Sequence, residues 1–146
     1  MHHYLGSGLP NVWLKNGCHV KQTEHGEVVA IEDVCGLHRV IGGMVARQTS
    51  PLSGAEFRFL RKELEISQET FARIIGKTSQ AVALWEKKKR VPLIADRFMR
   101  ALYLEATTGK AEIMEQIETI NSLARRLHEM MTLRFDEGWR DNEKAA

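Results

Sequence analysis

The stretch Ile66–Pro92, ISQETFARIIGKTSQAVALWEKKKRVP, constrains the fold more than any other part of the chain. Phe71, Ala72, Ile74 and Ile75 recur at the spacing of one helix face. That helix opens at Gln68 and stops at Gly76, a residue that takes a left-handed backbone at little steric cost. A second helix starts in the polar run Lys77-Thr78-Ser79-Gln80 and buries Val82 and Trp85. Four consecutive cations, Lys87-Lys88-Lys89-Arg90, follow. Two short helices, a glycine turn, a polar N-terminal face and a basic tail are the parts needed to set a helix in the DNA major groove and hold the flanking phosphates.

The charge distribution points the same way. The net charge is only +2 over 146 residues, but it is unevenly placed. Residues 1–55 are neutral, residues 56–103 carry +5 and residues 104–146 carry −3. The positive excess therefore sits on the segment that reads as a nucleic-acid binder. With 43% hydrophobic and 27% charged residues, a soluble globular protein is expected. No run of 18 apolar residues suggests a membrane span. The start, MHHYLGSGLPNVW, does not read as a secretory signal. Two cysteines in such a chain are expected to be free thiols in a reducing cytoplasm.

Three parts are expected, making the chain α+β as a whole. Residues 1–48 form a small β-rich module with a helix. Asn16-Gly17 predicts a type I′ hairpin between Val12–Lys15 and Cys18–Gln22, since both turn positions need φ > 0. A turn at Glu24-His25-Gly26 leads to a third strand, Glu27–Ile31. Asp33 is placed to N-cap a helix to about Arg47, with Val34, Leu37, Ile41 and Val45 inward and Gly42-Gly43 weakening its second half. Gln48–Gly54 is a linker, in which Ser50-Pro51 stops any incoming helix.

Residues 53–107 are expected to be a four-helix bundle. Ser53 and Glu56 make a capping-box pattern ahead of a helix over Gly54–Leu64, with Phe57, Leu60 and Leu64 inward. The two motif helices come next. A fourth helix follows over Leu93–Thr107, with Ile94, Phe98, Ala101, Leu102 and Leu104 inward. Residues 110–134 then read as one long helix. Ile113, Ile117, Ile120, Ala124, Leu127 and Met131 alternate spacings of four and three, a heptad seam that suggests a homodimer; an intramolecular clasp on the bundle is the alternative. The tail after Phe135 is polar and expected to fray.

Ser67, Gln68, Phe71, Ala72, Gly76, Thr78, Val82, Trp85, Glu86 and Pro92 stand in the order that marks the Xre/Cro-type helix-turn-helix family, which includes phage repressors and many antitoxins. The chain resembles that family over about residues 53–107. The resemblance implies a lambda-repressor-like bundle and assigns roles. Ser79, Gln80 and Ala83 would touch base edges, Gln80 foremost because its amide can pair bidentately with adenine. Gln68, Lys77, Thr78, Lys87, Lys89 and Arg90 would hold phosphates. Lys88 departs from the pattern: the family usually has glycine there in a left-handed turn, so lysine predicts backbone strain beside an added cation. Trp85 is expected in the core. Glu86 is expected to turn inward, onto a base such as Arg73 or onto backbone amides. Arg58, Arg61 and Lys62 read as a solvated face.

Tyr4, Gly8-Leu9, Asn11-Val12-Trp13-Leu14, Asn16-Gly17 and the later Ile31–Val34 with Gly36-Leu37-His38 resemble the leader of a group of bacterial helix-turn-helix regulators. Related two-part antitoxins carry a zinc module in this place. Here no CxxC pair exists. Cys18, His19, Cys35 and His38 are in principle four ligands; the alternative is small thiols in the core and surface histidines. No metal or other cofactor is expected. With no GxSxG, HExxH or P-loop, no enzyme is expected either.

The expectation is thus a sequence-specific DNA-binding transcriptional regulator, a repressor that binds a palindromic operator in double-stranded DNA as a homodimer. The alternative is an antitoxin that regulates its own operon and neutralises a toxin protein through its non-DNA part.

Overall fold

The computed structural model describes residues 1–109, 133–135 and 137–141. In chain order these form β1 (His2–His3), β2 (Trp13–Leu14), β3 (Cys18–Thr23), β4 (Gly26–Ile31), α1 (Val34–Arg47), α2 (Gly54–Glu63), α3 (Gln68–Ile75), α4 (Ser79–Trp85), α5 (Leu93–Thr107), β5 (Leu133–Phe135) and β6 (Trp139–Asp141). The fold is mixed α+β, with helices carrying the core and the strands paired two by two, antiparallel.

The strands differ from expectation at Asn16-Gly17. β2 pairs with β1, not with β3, and β3 pairs with β4 over six residues. Gly17 has φ 77° but Asn16 is not in the positive-φ region, so the type I′ turn is not made. The β3–β4 hairpin is made as expected: the turn at Glu24-His25 brings Thr23 opposite Gly26, and the Thr23 hydroxyl donates to the Gly26 carbonyl at 2.8 Å.

Asp33 does cap α1, accepting from the Gly36 amide at 3.1 Å. Ile41, Val45 and Ala46 point into the core, Leu37 is half-buried, and Val34 is exposed at the helix start. The glycine pair does not interrupt α1. Gly42 lies against the Tyr103 ring of α5, where any Cβ would overlap the phenol. The lost helix propensity, about 1 kcal/mol per glycine, is the cost of close α1–α5 contact.

The expected boundary at residues 48–53 does not divide two cores. Tyr4, Leu9, Ile41, Val45 and Ala46 belong to the same buried cluster as Phe57, Leu60, Phe71, Val82 and Met99. The linker itself is pinned. Leu52 is fully buried, and its amide donates to the buried Asp96 carboxylate at 2.7 Å. Arg100 pairs with Asp96 and donates to the carbonyls of Gln48 and Ser50. These contacts also set the phase of α5. Ala95, Asp96, Met99, Leu102 and Tyr103 are buried, whereas Ile94 and Ala101, expected inward, are exposed. Asp96 must face the linker, and that turns the helix about one position away from its most apolar stripe.

The seam Ile113, Ile117, Ile120, Ala124, Leu127 and Met131 lies outside the described residues. Leu133 and Arg134, expected at the end of that helix, are instead in β5. The tail is not frayed at Trp139–Asp141: β6 pairs with β5 through a turn with φ 55° at Glu137 and 143° at Gly138. The Phe135 and Trp139 rings meet edge to face at 5.6 Å, a cross-strand pair that a polar-tail reading overlooks.

Candidate nucleic-acid interface

Local sequence sets each end of the helix pair α3–α4. The Ser67 hydroxyl accepts from the Thr70 amide at 3.0 Å and starts α3. Gly76 closes it with φ 71°, a backbone that a β-carbon disfavours. The Lys77 amide reaches back to the Ala72 carbonyl at 2.8 Å and that of Gly76 to Arg73 at 3.4 Å, the paired closure of a Schellman motif. Thr78 then caps α4, its hydroxyl accepting from the Ala81 amide at 3.1 Å. Phe71, Val82 and Trp85 hold the pair on the core. The Phe57 ring stands edge-on to Phe71 at 5.0 Å and to Trp85 at 6.4 Å.

The opposite side of α4 is open. Gln80 is exposed, Ser79 and Ala83 are half-exposed, and the three adjoin at the N-terminal end of the helix. The Ser79 hydroxyl donates to the Gln80 carbonyl oxygen at 3.3 Å, so Gln80 keeps both amide hydrogens for another acceptor. Leu84, at 57% exposure, continues this open face; its place two residues after Val82 is the sequence signal for it. Lys77 and Thr78 are exposed just before the helix.

Comparison with protein-family models, curated proteins and solved structures found no match.

Glu86 organises the far end of α4. It turns inward as expected, but its partner is Arg61, not Arg73. Arg73 pairs with Glu69 along α3. Arg61 is buried, which corrects its place on a solvated face, and its Nη1 donates to the Ile66 carbonyl at 2.8 Å. The signal was present: Arg61 stands four residues after the inward Phe57. Gln68 donates from Nε2 to Glu86 Oε1 at 3.0 Å. One of its two amide hydrogens is thereby committed, leaving the other to donate to a further acceptor.

The cation run leaves α4 without strain. Lys88 is not in the left-handed region, contrary to the family-based expectation. The Lys87 and Lys88 amides donate to Leu84 and Trp85 at 3.1 Å, continuing the helical turn, and the Lys88 carbonyl accepts from Gly54 at 2.9 Å. Val91 is buried and ends the run. Among the described residues Lys77, Lys87, Lys88, Lys89 and Arg90 have no acidic partner.

The four candidate metal ligands do not converge. Among the described residues no group of three or more ligating side chains exists. His19 meets Glu32 at 3.0 Å, and Cys35 is exposed while Cys18 is half-buried. Both ring nitrogens of His38 are in use, Nε2 with the Tyr4 hydroxyl at 2.7 Å and Nδ1 with Glu63 at 2.8 Å. This Tyr4–His38–Glu63 chain joins the N-terminal segment to α1 and α2, and no sequence spacing announces it. Burial first, and the Glu63 charge second, raise the pKa of Tyr4, and the same two causes in the same order raise that of Tyr103. No helix among the described residues is long and apolar enough to cross a membrane.

Proposed function

We propose that this protein is a sequence-specific DNA-binding transcriptional regulator of the lambda-repressor-like helix-turn-helix type. In this reading α4 enters the major groove, Ser79, Gln80 and Ala83 meet base edges, and Gln68, Lys77, Thr78, Lys87, Lys89 and Arg90 hold the backbone. The observation that carries it is one open helix face, with Gln80 at its N-terminal end and, before and after the helix, five cations that have no acidic partner among the described residues. Rigid capping at both ends of α3 and at the start of α4 supports it, because base readout needs a fixed helix. The heptad pattern of residues 113–131 and the short reach of one reading helix support a homodimer on a palindromic operator, and we read the regulator as a repressor. Fluorescence anisotropy with DNA from upstream of the protein's own gene tests the reading. Nanomolar binding that is at least ~10³-fold tighter than to random duplex and weakens steeply with salt is expected. Equal affinity for both duplexes would sink it.

The antitoxin reading has one observation in its favour. The outer part of the β3–β4 ribbon projects from the core on which Ile31 packs, with Val20 and Val28 exposed, and strand edges unpaired among the described residues suit a protein partner. Co-expression with the product of the adjacent gene tests it; a lone homodimer after purification counts against it.

A further inference from the structure

A cavity of about 400 Å³ lies between the loop Leu5–Gly8 and α2. The loop is a fixed wall rather than a loose start. Tyr4 and Leu9 on either side of it are buried, and the Gly8 amide donates to the Leu5 carbonyl at 3.0 Å. The Ser7 hydroxyl accepts from the Leu9 amide at 3.3 Å and keeps its own hydrogen to donate. Among the described residues, the Gly6 and Ser7 amides have no protein acceptor.

The facing wall carries two cations, Arg58 and Lys62, and two acids, Glu63 and Glu86. Arg58 and Lys62 stand one turn apart on α2, so their heads share one side. Lys62 has no acidic partner among the described residues. The nearest acid to Arg58 is Glu86, at 4.0 Å, which already accepts two bonds from Arg61 and one from Gln68. Glu63, the other acid in the wall, is tied to His38. Arg58 and Lys62 therefore face a cavity whose two acids are already engaged, Glu86 by Arg61 and Gln68 and Glu63 by His38. Between them the buried Phe59 supplies an apolar wall.

We infer that this cavity binds a small organic anion: one carboxylate or phosphate head held by Arg58, Lys62 and the Gly6 and Ser7 donors, on an apolar body that rests on Phe59. The volume suits a ligand of that size. Charge-assisted bonds to Arg and free amides are the strong kind, and a flat apolar body adds burial without needing further partners. The site does not rest on the DNA reading, and it is measured without DNA.

The test titrates benzoate, phenyl phosphate and inorganic phosphate, at constant ionic strength, into the ¹⁵N-labelled full chain. Benzoate or phenyl phosphate should give saturable shifts at the Gly6, Ser7 and Gly8 amides; which of the two binds tighter identifies the head group. Arg58→Gln with Lys62→Gln should weaken that binding at least about tenfold. Lys62→Gln alone, on a residue exposed enough to leave the fold intact, should weaken it in the same direction. Lys87→Gln with Lys89→Gln should leave it unchanged. Linear shifts with every probe, equal binding of inorganic phosphate and phenyl phosphate (an adventitious ion only), or shifts that survive the Arg58 and Lys62 changes would overturn the inference. So would loss of DNA affinity in the Arg58→Gln, Lys62→Gln variant with no small-anion binding in the parent, which would make these cations DNA phosphate contacts.

Discussion

The Arg61 guanidinium and the Glu86 carboxylate meet side by side, Nε to Oε2 at 2.8 Å and Nη2 to Oε1 at 2.9 Å, with the carboxylate only 4% exposed. This pair fastens the end of α4 to α2, and Gln68 adds the start of α3 to the same carboxylate. The orientation of α4 on the bundle is thus set from its buried side, by the Arg61–Glu86 pair.

Breaking that pair should be costly. Arg61→Met takes the two-bond partner from the buried Glu86 carboxylate and leaves it only Gln68 and, at 4.0 Å, Arg58, for an expected loss of about 3–5 kcal/mol. Arg61→Met combined with Glu86→Leu should recover most of it, since an apolar pair of similar size replaces the desolvated ions. Urea denaturation midpoints of both variants check this. A loss below ~1 kcal/mol in the single variant would mean that water reaches the pair.

The two adjacent glycines of α1 should respond with opposite signs. Gly42→Ala drives a methyl into the Tyr103 phenol, which is itself buried, and overpacking should cost about 1–3 kcal/mol net of any propensity gain. Gly43→Ala meets only the end of the Arg47 side chain, at 2.9 Å, which swings away easily, so it should stabilise by up to about 1 kcal/mol. Thermal unfolding of the two variants side by side reads the difference.

On DNA, Gln80→Ala should lose about 1–3 kcal/mol of preference at one base position and little elsewhere. Lys89→Ala should weaken every sequence alike and lower the slope of log affinity against log salt by about 1. Anisotropy titrations over a salt series, on the operator and on single-base variants, separate the two patterns. If both substitutions act alike, the division of roles is wrong.

Stability should fall at alkaline pH. Tyr4 and Tyr103 have pKa values raised from 10.0, chiefly by burial and then by Glu63. A raised pKa favours the protonated folded form. The contribution is complete below the unfolded value near 10 and is lost as pH rises through the folded value. Tyr103→Phe should flatten this alkaline loss, and Glu63→Gln should reduce the part due to both tyrosines. Denaturation midpoints between about pH 8 and pH 12 follow the change; an unchanged alkaline limb in Tyr103→Phe would exclude that tyrosine as a source.

Features carried by a few neighbouring residues were legible from the chain. The Ser53–Glu56 capping box, the Asp33 cap and the limits of α3 and α4 all appear where side-chain spacing places them, because each depends on hydrogen bonds within one helical turn. The partner of β2 was not legible. Asn16-Gly17 is a strong local turn signal, yet Trp13 and Leu14 pair with His3 and His2 at the start of the chain. Lys88 continues the helical turn rather than a left-handed one, and its carbonyl accepts from Gly54, 34 positions away, a partner that no local pattern records.

The sequence by itself determined where the helices of residues 34–107 begin and end, which side of α4 is polar and where positive charge gathers, since periodicity, caps and composition act over a few residues. Only the tertiary structure decided that residues 4–46 share one core with the helices after them, that α5 turns Asp96 rather than Ile94 inward, and that Glu86 finds Arg61. Those outcomes depend on groups far apart in the chain competing for the same buried space and the same few hydrogen bonds. No local pattern records which pair wins, because the choice follows from the desolvation cost of leaving any one of them without a partner.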